Sequence, residues 1–77
     1  MKELVETIVT ALVDSPEQVK INETAGENVL ILEISVSSDD IGKVIGKEGR
    51  IANSIRTIVK AAAAKQEKKV TVEILTE

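Results

Sequence analysis

Leu4, Val5, Ile8, Val9, Leu12 and Val13 fall at i, i+1, i+4, i+5, i+8 and i+9, a single stripe on a helical wheel. That spacing predicts an amphipathic helix, ended by Asp14-Ser15-Pro16 because the residue before a proline disfavours helical geometry. Val19 and Ile21 then alternate with polar neighbours, which predicts a short half-buried strand, and "TAGEN" supplies a turn in which Gly26 can take positive φ. From Val29 to Val36 the chain alternates again, with Leu30, Leu32, Ile34 and Val36 on one face. Val29 and Ile31 make the start of this strand apolar on both faces, as expected of a strand covered on two sides or lying at an interface.

"SSDD" reads as a helix N-cap cluster, with Ser37 or Ser38 accepting from free backbone amides and Asp39 and Asp40 at the positive helix end. A short helix over roughly 39 to 45 presents Ile41, Val44 and Ile45, and the stretch from Gly46 to Gly49 breaks it. A longer helix follows with Ile51, Ala52, Ile55, Ile58, Val59, Ala62 and Ala63 on one face and Arg56 and Lys60 on the opposite side. Val70, Val72 and Ile74 close the chain as a last strand. The order is α-β-β-α-α-β, without repeat or linker. It predicts one α+β domain spanning residues 1–77, three helices packed on one face of a three-stranded sheet.

Composition narrows what such a domain can do. Its hydrophobic residues are almost wholly Val, Ile, Leu and Ala, and there is no aromatic residue, which excludes modules that stack bases on Phe, Tyr or Trp. The absence of Cys and His removes disulfides, thiol nucleophiles, imidazole bases and the usual zinc sites. The acids are scattered rather than clustered for a hard ion, and no cofactor or metal is expected. The N-terminal segment is too short and too charged to span a bilayer, so the chain reads as a soluble cytoplasmic protein with no membrane partner. The net charge of −3 hides a strong asymmetry: residues 43–69 hold eight basic residues against Glu48 and Glu67, a local balance of +6. Residues 1–42 stand at −7. An acidic chain that is basic around its glycines suggests a local anion site.

Three of the four glycines lie in "IGKVIGKEGR", residues 41–50. A turn between two helices often contains glycine, and G-x-x-G taken alone says no more than that. A nucleotide P-loop would need four residues between its glycines, a hydroxyl where Glu48 stands and a preceding strand. A helix-turn-helix could use Arg50, Asn53, Ser54 and Arg56, but the surrounding strands and the paired glycines fit it poorly. The fourth reading is a phosphate clamp. Gly46 and Gly49 let backbone approach a sugar-phosphate chain without Cβ clashes, and the following helix aims free N–H groups at it. Lys47 and Arg50 add charge, Lys43 lies one turn before, and Val44, Ile45 and Ile51 can floor a groove for bases.

"VIGKEGR", set between two helices, resembles the [IV]-I-G-x-x-G-[KR] signature of the KH domain. The element order is similar to the type II arrangement, and the likeness covers the whole chain, as in the small bacterial single-KH proteins (KhpA type). What the resemblance implies is a non-enzymatic module for single-stranded RNA, with a G-x-x-G loop clamping four nucleotides of backbone. Gly46, Lys47, Glu48 and Gly49 would contact that backbone. Val44, Ile45, Ile51 and Ile55 would form the loop-side wall of a hydrophobic groove. The last strand, around Val70 to Val72, would form the other wall, and Lys68 and Lys69, where the variable loop of the family falls, would reach phosphates at the rim. Glu48 departs from an ideal clamp by placing a carboxylate among phosphate ligands. With three phosphates neutralised, log K against log salt would have a slope of about −2.

The run Ala61–Ala64 is a strong helix former whose small side chains would also admit a second helix. The family implies homodimers and pairing with a larger KH-containing protein, for which Ile58, Ala61 and Ala62 are the candidate interface. "KQEKK" reads as a solvated helix end. Two functions stay open at this point. The +6 segment and intact glycine pair favour RNA binding, whereas the acidic remainder and Glu48 favour a protein-interaction scaffold that keeps the fold and uses RNA little.

Overall fold

The computed structural model describes residues 1–76 and contains the expected elements in the expected order. They are α1 (Lys2–Leu12), β1 (Lys20–Ala25), β2 (Val29–Ser35), α2 (Ile41–Ile45), α3 (Arg50–Ala64) and β3 (Lys69–Ile74). Single 3-10 turns at Pro16–Gln18, Ser38–Asp40 and Lys47–Gly49 lead into β1, α2 and α3. The strands form one mixed sheet in the order β1-β2-β3, with β2 antiparallel to β1 and parallel to β3.

Side-chain alternation along the strands assigns the two faces. Ile21, Leu30, Leu32, Ile34, Val70 and Val72 point into the core. Helix α1 meets them with Val5 and Val9, joined by Val13 just past its end, α2 with Val44, and α3 with Ile55, Val59 and Ala63. This is a two-layer α+β domain, helices over one sheet face. Leu32 and Ile34 are fully buried, and each contributes about 1.5–3 kcal/mol through the water it no longer meets.

Two details differ from the periodicity. Thr24 and Ala25 belong to β1, so the hairpin turn is tighter than "TAGEN" and is closed by the Gly26 N–H donating to the Val29 carbonyl at 2.8 Å. The apolar start of β2 is not covered: Val29 and Ile31 stand 46% and 38% exposed on the open face. Among the described residues no helix is long and apolar enough to cross a membrane.

Candidate functional site

The Gly46–Gly49 loop joins α2 to α3 as a tight turn in which three of the four residues take positive φ. Gly46 closes α2 with φ 77° and ψ 175°, Glu48 sits at φ 57° and ψ 26°, and Gly49 at φ 74° and ψ 13°. The Gly49 N–H donates to the Gly46 carbonyl at 3.2 Å, and no side chain caps the start of α3. Such a helix start leaves amide donors to be satisfied from outside. Gly46, however, is needed for a reason internal to the protein. A Cβ built there would lie 2.6 Å from Cγ1 of Ile51, so the bare backbone lets Ile51 pack beneath the turn. At Gly49 the nearest atom to such a Cβ is Asn53 Nδ2 at 3.9 Å, and only the positive φ favours glycine.

The charges around the loop are mostly spoken for. Lys43 Nζ lies 2.9 Å from Asp14 and 3.4 Å from Asp40, away from the turn. Arg50 Nη2 meets Glu48 Oε1 at 3.3 Å, both side chains well exposed, so Glu48 points outward and occupies its neighbour. No carboxylate among the described residues lies within ion-pair range of Lys47, which stands exposed at the tip of the turn.

Asp40 does not behave as the cap cluster predicts. Neither Ser37 nor Asp40 makes a side-chain cap bond. The Asp40 carboxylate, 1% exposed, reaches back across the fold and accepts the backbone N–H groups of Asp14 (3.2 Å) and Ser15 (3.1 Å). Burial pushes its carboxyl up, but those two N–H donors and the Lys43 ammonium outweigh it and hold Asp40 below the ordinary carboxylate value. Lys43 is correspondingly raised, first by its hydrogen bond and charge contact with Asp14 and then by Asp40. This carboxylate pins the end of α1 to the start of α2 and thereby fixes the helix that delivers the loop.

Of the apolar residues expected to wall a groove, Ile45 and Ile51 are half-buried beside the turn. Val44 and Ile55, at 0% and 2% exposure, belong instead to the core, because the same helix faces must cover the sheet. Lys68 and Lys69 sit beyond α3, where the Lys68 N–H bonds back to the Ala63 carbonyl and Glu67 takes φ 58°. With Lys60, Val70 and Thr71 they border an open depression of about 430 Å³. Ile58 is 47% exposed on the outer side of α3, Ala61 is exposed and Ala62 half-buried.

Arg56, like the exposed Ile58, lies elsewhere around α3 than the helical wheel puts it. It does not project to the side opposite the apolar face: its Nε donates to the carbonyl of Val72 on β3 at 3.3 Å and its Nη1 to Asn53 Oδ1 at 3.2 Å. A helical wheel gives its angle but not which strand edge lies alongside.

Known proteins resemble this chain along its whole length. A family model described as KhpA/KhpB, KH domain matches residues 2–74. The "RNA-binding protein KhpA" of Clostridium perfringens is 64% identical over 75 residues, covering 97% of this chain and 100% of that relative. Those of Clostridium acetobutylicum and Chlamydia trachomatis are 56% and 47% identical, over 97% and 100% of this chain and 100% and 99% of theirs. No solved structure matches the chain.

Proposed function

The chain belongs to the KhpA/KhpB KH-domain family, and from that premise we propose that it binds single-stranded RNA through the Gly46–Gly49 turn and the apolar groove beside it. Its relatives are named for RNA binding, and this chain is accordingly a non-enzymatic RNA-binding module. The observation that carries the finer reading is the turn itself. It sets positive-φ backbone at the uncapped head of α3 with one uncommitted cation, Lys47, at its tip. Phosphates would meet the free amides of α3 and Lys47, bases would lie against Ile45 and Ile51, and Lys68 and Lys69 would hold the far rim. Lys43, Arg50 and Glu48 act through their pairings: Arg50 reaches a phosphate once Glu48 releases it, and Lys43 holds α2 in place.

Those pairings also favour the second reading, an interaction scaffold, because they leave few cations for RNA. Titrating labelled short RNAs against the wild type and Lys47→Asp, at two salt concentrations, separates the two. The expected result is a log–log salt slope near −2 for the wild type and binding weakened by about tenfold in the variant, with circular dichroism unchanged. Equal binding by both proteins, or none by the wild type at low salt, would remove the clamp.

We further infer that the protein works in the cytoplasm as a homodimer, or with a larger KH-containing partner, through the outer side of α3. The exposed Ile58 beside Ala61 and Ala62 offers apolar, small-residue surface suited to a second helix. Ala62→Glu is expected to halve the mass measured by light scattering. A wild type that is already monomeric at high concentration, or a variant of unchanged mass, counts against this interface.

A further inference from the structure

The seam between α3 and β3 holds a bonded arginine whose placement the loop does not explain. β3 lies at the edge of the sheet. The N–H of Lys69 donates to the Asn28 carbonyl and that of Leu75 to the Ile34 carbonyl. In a parallel ladder this turns the backbone groups of the alternate residues, Val70 and Val72, toward the open side. Arg56 reaches that open row from α3 and fastens to the Val72 carbonyl. A guanidinium has five N–H donors in one rigid plane. Two are engaged here, by Val72 and Asn53, and the remaining donors stay available in an orientation that those two bonds fix. One turn further along α3, Lys60 borders the open depression that it shares with Lys68, Lys69, Val70 and Thr71, so the seam opens, one turn beyond Arg56, into space that could take a flat ring.

We propose that Arg56 is a specificity-determining residue that makes the groove favour bases offering two adjacent acceptors, cytosine foremost, over adenine. This rests on the RNA reading above and adds to it a base preference. Cytosine presents O2 and N3 side by side to a planar pair of donors, and its amino group can donate to a carbonyl of the β3 edge, where an oxygen has a second lone pair. The O6/N7 edge of guanine also fits. Adenine sets its amino donor beside N1 and beside N7, and uracil sets its N3–H between two carbonyls, so each turns a donor toward a donor. Discrimination of this kind comes from the mismatch as much as from the match.

Fluorescence anisotropy with labelled rC4, rU4 and rA4 at low salt tests it, using the wild type, Arg56→Lys and Arg56→Gln, each first checked for a native circular dichroism spectrum. The wild type is expected to bind rC4 about tenfold more tightly than rA4. Arg56→Lys keeps the charge but loses the fork, and its ratio should fall to within about twofold. Arg56→Gln, which can pair with the adenine edge, should abolish or invert the preference. Equal binding of rC4 and rA4 by the wild type overturns the proposal without reference to either variant. So does an unchanged ratio in both variants with uniformly weaker binding and a salt slope shallower by about 0.7, the mark of a phosphate contact. Failure of the wild type to bind any tetranucleotide overturns the RNA reading itself, and this proposal with it.

Discussion

Gly46→Ala is expected to lower stability by about 2–4 kcal/mol, a large part of what a domain this small possesses. Two effects add. The backbone at φ 77° and ψ 175° lies in a region essentially reserved for glycine, where any side chain brings strain of about 1–3 kcal/mol. The new methyl would also overlap Ile51, at 2.6 Å from Cγ1 and 2.9 Å from Cβ. Those atoms belong to the branched stem of a residue anchored in the first turn of α3, so relief requires moving the helix, not a flexible tip. Gly49→Ala supplies the comparison. Its φ of 74° is also left-handed, but it meets nothing closer than 3.9 Å, so it should lose only about 1 kcal/mol. In thermal melts the first variant should fall by more than about 10 °C and the second by roughly half as much. Equal losses would mean that the contact with Ile51 contributes nothing. Any RNA-binding defect of Gly46→Ala therefore has to be read beside its melting curve.

Asp40→Asn carries the second large effect, and its dependence on pH identifies the cause. Asparagine keeps the shape but can accept from only one of the two N–H groups of Asp14 and Ser15 with its single carbonyl oxygen, and it leaves Lys43 with Asp14 alone. The melting temperature at pH 7 should fall by on the order of 10 °C. The sign follows from linkage: a carboxylate held below its unfolded value stabilises the fold above that value, and the contribution is lost as pH falls through the lowered one. Lys43, held above its ordinary value, contributes fully below that value and loses its contribution only in strong alkali. The gap between wild type and variant should thus be full from about pH 5 to pH 9 and shrink below about pH 4, where the wild-type carboxyl becomes a neutral near-isostere of the amide. A gap of constant size down to pH 3 would show that charge plays no part in the pin.

The elements were legible in the sequence because they rest on local periodicity. Val5, Val9 and Val13 form the buried centre of the first stripe, and Val70 and Val72 alternate into the core as expected. The glycine turn was legible for the same reason. What escaped depends on partners distant in the chain. "SSDD" has the composition of a cap, yet Asp40 bonds amides 25 and 26 residues away, which no window of neighbours contains. Gly46 reads as a place kept open for a ligand until Ile51 is seen to occupy the space. Val44 and Ile55 share helices with the half-buried Ile45 and Ile51 but turn fully inward to cover the sheet. The contact of Arg56 with β3 is hidden from the helical wheel, which puts it opposite the apolar face, because strand order, which sets what lies beside α3, is not written in any single segment.

The hold that Arg56 keeps on Val72 also bears on how the protein behaves when crowded with its own copies. An uncovered six-residue edge strand is a template on which a foreign strand can extend the sheet. The guanidinium sits in the middle of that template and takes one of the carbonyls an incoming strand would need. Docking would first have to displace it, leaving a charged donor group without its acceptor. The opposite edge, β1, reads Lys20, Asn22, Glu23 and Thr24, a row of charged and polar residues that deters pairing in its own way. A side chain placed along the seam therefore also keeps a small aliphatic domain from polymerising strand upon strand.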